Sequence, residues 1–318
     1  MYRNVMVPVD GSPFSREAVV QGLRIASQSG AALHLVRVSV APVVLATPEA
    51  LAFESSAMGE VHSAELSELY GIAAECRAHA GITVSASVER GPVVDALTGY
   101  AQRHQVDIIV MRSHGRTGIA RAWFGSVADG LIRESGIPVL VVRAPSVGTA
   151  LAAGFHFKRI LVPLDGSALA EQAIAPAFAL AAIDGASVTL LRIVTAWKHR
   201  EPGELESAVG PASARAVSEA ESYLDSIIPT AVPRSSVSRR VVIASDVARA
   251  IHDIAELEET DLVALATRGY GGIKRVAVGS VSDQVMLESS VSTLVVHPAV
   301  AVPERPGIPV TVQGMVPA

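Results

Sequence analysis

The sequence predicts an α/β protein of two tandem domains, each a five-stranded parallel sheet with helices on both faces. Three observations carry this: the chain repeats itself, short β-branched runs alternate with longer helical segments in each repeat, and the composition allows a core in each. "NVMVPVDGSPFSREAV" from Asn4 matches "RILVPLDGSALAEQAI" from Arg159, which sets Asp10 opposite Asp165 at an offset of 155 residues. "VDIIVMRSHG" matches "TDLVALATRG" and "GSVADGLIRES" matches "GSVSDQVMLES", each at an offset of 154. The period is far longer than a solenoid unit, so each copy is a complete domain. The 318 residues are 50% hydrophobic and 18% charged, enough to build two sizeable cores.

In the first copy "NVMVPV", "ALHLVRVSV", "ITVSASV", "DIIVM" and "PVLVV" read as strands, being apolar runs or strict alternations bounded by turn residues. Between them "SREAVVQGLRIASQSG", "EALAFESSAMGEVHSAELSELYGIAAECRAHAG", "VVDALTGYAQRHQ" and "SVADGLIRES" have helical periodicity, with helix-ending glycines at 30 and 81. The second copy places strands near 159 to 164, 187 to 194, 237 to 242, 261 to 265 and 293 to 297. Strands joined by crossover helices make a parallel sheet covered on both faces. The domains are expected at 1–145 and 155–298, joined by the small-residue stretch "RAPSVGTALAAG". A tail over 299–318, rich in proline, is expected to lack regular structure.

A net charge of −5 with scattered basic residues gives no reason to expect nucleic acid. The single cysteine, Cys76, excludes an intramolecular disulfide, fits a reducing compartment and reads as core. The opening "MYRNVMVPVDGS" is broken by Pro8 and Asp10, and no apolar run approaches the length of a membrane span. The expectation is a cytoplasmic protein without a membrane partner.

Doubly wound sheets bind ligands outside the carboxyl ends of their strands, at the switch point of the winding. The loop from Arg112 to Gly125 leaves the fourth strand there and enters a helix at Ser126. Gly115 allows a close backbone approach, Gly125 lets amides point at a ligand, and Ser126 offers a hydroxyl at a helix N-terminus, a setting that favours phosphate. Gly269, Gly279 and Ser280 repeat the spacing in the second copy. Asp10 and Asp165 end the first strand of each copy in the same crevice, where a carboxylate can accept hydrogen bonds from ribose hydroxyls. A generic Gly-Ser turn that serves only as a cap is the bland alternative, weakened by the duplication at the expected crevice.

"VPVDGS" and "VPLDGS" after an opening strand, with "SHGRTG…FGSVAD" and "TRGYGG…VGSVSD" after the fourth, resemble the universal stress protein family, here as a tandem pair over about residues 1 to 298. The resemblance implies two Rossmann-like domains of the adenine nucleotide alpha hydrolase-like kind that bind ATP and pack as an intramolecular pseudo-dimer. It also implies a stress-response sensor or regulator. The family's ATP pattern is Gly, two residues, Gly, nine residues, Gly, then Ser or Thr. It falls on Gly115, Gly125 and Ser126 and on Gly269, Gly279 and Ser280. Its strand-end acid falls on Asp10 and Asp165, with Pro8, Val9, Pro163 and Leu164 beside the base, and its adenine-facing position on Val38 and Ile193.

The first glycine of the pattern is replaced by Arg112 and by Ala266. An arginine there can obstruct the phosphates or place a guanidinium on them. His114 and Arg268 lie in the loops as phosphate-contacting candidates, and Arg116, Arg121, Lys274 and Arg275 could steer an anion or form a solvated face. ATP, with Mg²⁺ as a candidate companion, is the expected cofactor, and a homodimer is a candidate assembly. P-loop, dinucleotide and nucleophile-elbow signatures are missing from the sequence, and its histidines show no metal-ligand spacing. A slow ATPase or nucleotidyl-transferring enzyme and a nucleotide-free interaction module stand as alternatives. The closing strands at 139–143 and 293–297 are apolar sheet edges expected to pair with each other.

Overall fold

The computed structural model describes residues 2–39, 48–112, 125–143, 156–195, 211–230, 233, 236–267 and 281–297, with backbone alone for 48–62 and 211–213. The first half runs β1 (Asn4–Pro8), α1 (Pro13–Ser29), β2 (Ala32–Ser39), α2 (Pro48–Ala80), β3 (Val84–Arg90), α3 (Val93–Arg103), β4 (Ile108–Arg112), α4 (Ser126–Glu134) and β5 (Val139–Val142). The second runs β6 (Arg159–Leu164), α5 (Ala168–Glu171), α6 (Ile174–Asp184), β7 (Ser187–Thr195), α7 (Pro211–Ser226), β8 (Val237–Ala244), α8 (Val247–Leu257), β9 (Leu262–Ala266), α9 (Val281–Glu288) and β10 (Ser292–Val296). Gly30 and Gly81 end α1 and α2 with left-handed backbone, as their positions predict.

The two expected five-stranded sheets form one continuous sheet in the order β3-β2-β1-β4-β5-β10-β9-β6-β7-β8. Neighbours within each half are parallel, and the central pair is antiparallel, with Leu294 opposite Leu140 and Val295 opposite Val139. The apolar edge strands therefore satisfy each other within one chain. A palindromic strand order around an antiparallel pair has the symmetry of a two-fold axis through the sheet centre.

Strand alternation decides what each face buries. Val5, Val7, Leu33, Leu35 and Val110 point toward α1 and α2 and join Ile160, Val162, Leu190 and Phe178 of the second half in one buried cluster. Met6, Val36, Ile109, Leu161, Leu191 and Val263 point the other way and join Leu97, Leu131 and Ile251 of the helices there. Both cores thus run through both halves without a seam.

One element departs from the repeat. The helix that is continuous as α1 is broken into α5 and α6 in the second half. Pro176 supplies the reason, because a proline lacks the N–H that an uninterrupted helix would use and is tolerated in a first turn, where α6 places it. Asp107 and Asp261, just before β4 and β9, brace the sheet. Asp107 accepts from the amides of Arg3 and Asn4 at 2.6 and 2.8 Å, and Asp261 from those of Lys158 and Arg159 at 2.7 and 2.8 Å.

Polar contacts tie the halves together. Asp184, at the end of α6, accepts both Nη atoms of Arg24 on α1, the amide of Phe157 at 2.9 Å, and contacts His156. Its side chain is 1% exposed and that of Arg24 7%, so this ion pair is desolvated. Arg143, just past β5, reaches the carbonyls of Met286 and Ser289 at the end of α9.

Candidate nucleotide-binding crevices

β1 and β6 are the strands from which the winding turns both ways, since β1 pairs with β2 and β4 and β6 with β7 and β9. Each ends in an Asp-Gly-Ser turn at the crevice. Asp10 accepts the Ser12 amide at 2.9 Å, and Asp165 accepts the Ser167 amide at 2.9 Å and the Ser167 hydroxyl at 2.5 Å. Both serines then cap the following helix, Ser12 accepting from the Ser15 amide and Ser167 from the Ala170 amide. The turn requires left-handed backbone between acid and cap, and Gly11 (φ 81°) and Gly166 (φ 83°) provide it.

Burial pushes the Asp10 carboxyl up, but hydrogen bonds from Ser12 and Ser15 outweigh it and hold the group below its ordinary value. Asp165 follows the same pattern: burial is outweighed by the Ser167 bonds and then by the Arg192 charge. Both acids are therefore ionised acceptors at neutral pH.

A cavity of about 350 Å³ opens beside the first turn, lined by Pro8, Val9, Asp10, Val38, Arg112, Gly125 and Ser126. Its counterpart of about 520 Å³ is lined by Pro163, Leu164, Asp165, Ile193 and Ala266. Both volumes lie in the range of small-molecule sites. Thus the acid, the residues beside it, the apolar strand position and the substituted glycine position come together in each half. His114, Gly115, Arg268, Gly269, Gly279 and Ser280 lie outside the described residues, as do Arg116, Arg121, Lys274 and Arg275.

Gly125 precedes α4 with φ −47°, and a Cβ added to it would meet no atom of the described residues within 4 Å. Neither its backbone angle nor the described packing around it demands glycine. Arg112 has partners of its own among the described residues. Strand alternation turns its side chain toward α1, where the guanidinium pairs with Glu17 and lies 5.2 Å from the centre of the Phe14 ring. Arg112 lines the first cavity together with Phe14.

Sequence reasoning missed Arg37 and Arg192, which stand one residue before Val38 and Ile193 and lie against the glycines of the two turns. A charged residue inside an apolar strand of both copies was the available signal. It also missed Tyr223, which lines the second cavity and donates to Glu171 at 3.0 Å. Burial, then the Glu171 bond and charge, raises the Tyr223 hydroxyl above its ordinary value. Among the described residues no cluster of three acidic, histidine or cysteine side chains could hold a metal ion. None of the described helices is long and apolar enough to cross a membrane.

Two doubly wound halves, each with an acid-ended first strand over a crevice of ligand size, define a tandem α/β protein. The family model described as "Universal stress protein family" matches residues 1–143 and again 156–297. The chain belongs to the universal stress protein family. It is 26% identical to universal stress protein MT2052 of Mycobacterium tuberculosis strain CDC 1551 over 335 aligned positions, covering 96% of this chain and 97% of that protein. It is 31% identical to Rv2005c of strain H37Rv of that organism over 196 positions, 60% of this chain and 62% of that one. Among solved structures, a universal stress protein from Archaeoglobus fulgidus superposes with a TM-score of 0.64 at 20% identity, over 92% of this chain and 98% of that one, a likeness of fold.

Proposed function

We propose that the protein binds ATP or another adenine nucleotide in both crevices and acts in the cytoplasm as a stress-response sensor or regulator. The observation that carries this reading is the duplicated Asp-Gly-Ser turn, which presents an ionised carboxylate beside an apolar strand end and a ligand-sized cavity in each half. In this reading Asp10 and Asp165 accept from ribose hydroxyls, and Val38 and Ile193 face the base. The amides opening α4, with Gly115, Gly125 and Ser126, hold phosphate. Gly269, Gly279 and Ser280 do the same in the second half, with His114, Arg268 and a magnesium ion as further phosphate partners. The functional units run over 1–145 and 155–298, followed by the tail at 299–318. The protein is to be purified without added nucleotide, denatured, and its small-molecule content identified by mass spectrometry. An adenine nucleotide at near-stoichiometric amount supports the proposal. If none is carried and none is taken up in equilibrium dialysis, the nucleotide-free module is the better reading. Turnover assays with Mg²⁺ separate a sensor from a slow ATPase.

A further inference from the structure

Arg37 of β2 and Arg192 of β7 occupy equivalent places, and each guanidinium lies against the glycine of the neighbouring Asp-Gly-Ser turn. A Cβ on Gly11 would come 3.4 Å from Arg37, and one on Gly166 3.8 Å from Arg192. Their partners differ. Arg37 donates to Glu68 at 2.8 Å and pairs with Glu65 at 3.4 Å, both on α2. Arg192 donates to the carbonyl of Leu164, the residue before Asp165, at 3.3 Å, and among the described residues it forms no ion pair. Arg192 lines the second cavity, whereas Arg37 is not part of the described lining of the first.

A guanidinium matched by two carboxylates presents little field to a third acid. One held by a carbonyl keeps its charge for the nearest carboxylate. In keeping with this, after the opposing effect of burial and the bonds from Ser167, Arg192 acts on Asp165, while the groups acting on Asp10 belong to its own turn and to α1. Tyr223, which also feels the Arg192 charge, and Glu219 complete the polar wall on that side of the second cavity.

We infer that Arg192 is the positioning residue of the second site, bracing the Asp165 turn and lending it positive charge. Glu65 and Glu68 withhold Arg37 from the same task in the first site. The inference rests on the proposed binding of adenine nucleotide. It makes ribose recognition stronger in the second half.

The test is calorimetric titration of the full chain carrying Gly125→Glu, which closes the first cavity, with ATP and with 2′,3′-dideoxy-ATP. With Arg192 intact, ATP is favoured by about 10-fold, the equivalent of one charge-assisted hydrogen bond. Arg192→Met brings that ratio near one by weakening ATP and sparing the dideoxy compound. Arg192→Lys restores part of it. The loss in the Met variant grows only as pH is lowered below about 5, because an acid without its cation protonates sooner. Equal weakening of both ligands means that Arg192 touches the nucleotide directly, and it overturns the inference, as does no weakening at all. If Arg192→Met does not fold, Glu65→Gln with Glu68→Gln, read at the first site in a chain whose second cavity is blocked by Ala266→Glu, decides: the ribose preference must rise, and an unchanged preference overturns the inference. No ATP uptake with Arg192 intact overturns the nucleotide reading and this inference with it. Uptake that ignores Arg192 overturns the inference alone.

Discussion

Asp10 and Asp165 each end a strand where the next residue must adopt left-handed backbone, so acid, glycine and capping serine form one unit. Their carboxyls are held below the usual value, and a depressed acid contributes stability that is present above its unfolded pKa and lost as pH falls through the folded one. Nucleotide affinity owed to these acids should therefore be level from about pH 8 to pH 5 and fall only below about pH 4. A titration series across that range checks it, and a fall centred near neutrality would point to a histidine instead. Gly125 allows a cleaner separation of binding from folding. Its φ is ordinary and no atom of the described residues stands within 4 Å of a Cβ there, so Gly125→Glu should leave the thermal midpoint unchanged. It should weaken ATP at the first site by about 30- to 1,000-fold through lost amide contacts and like charge. Calorimetry and melting on the same sample read both. Retained affinity would mean that the nine-residue spacing serves the turn alone.

Among the elements, β2 holds a polar network that its counterpart β7 lacks. His34 lies between the Ser85 hydroxyl at 2.9 Å, the Tyr100 hydroxyl at 3.1 Å and Asn4 Oδ1 at 3.3 Å. The equivalent Thr189 instead meets the Ser238 hydroxyl at 2.8 Å. Burial first, and the nearby His104 second, push His34 below its ordinary 6.5, so between the two pKa values the unfolded chain binds more protons than the folded one. Stability should then decline as pH is lowered through and below about 6.5. His34→Gln removes that proton site, so its thermal midpoint should fall less than the parent's between pH 7 and pH 5. Parallel falls would show that His34 does not titrate there. The ten strands were legible in the sequence because each is a β-branched run between turn residues, and the acid-glycine-serine turns because they occur twice. The break at Pro176 was not, since helical periodicity continues across it. Arg37 and Arg192 escaped notice because a lone charge in a strand reads as its solvent side. The tilt of Arg112 toward Glu17 depends on a strand parity that only the register fixes.

For the whole molecule, the antiparallel β5–β10 pair makes one sheet of two halves, and the Arg24–Asp184 pair locks α1 to α6 beside it. Removing one partner of a desolvated ion pair strands the other, at a cost of about 3 to 5 kcal/mol. Asp184→Ala should lower the free energy of unfolding by that order in urea titration. Asp184→Ala combined with Arg24→Met should recover much of the loss; a loss confined to a few tenths of a kcal/mol would mean that the halves do not depend on this contact. The duplicated crevices then make a stoichiometric claim. The chain should be stripped of nucleotide under mild denaturation, refolded and titrated calorimetrically with ATP. The account predicts saturation near two ATP per chain, lowered to near one by Gly125→Glu, and a correctly folded chain that takes up no ATP would contradict it.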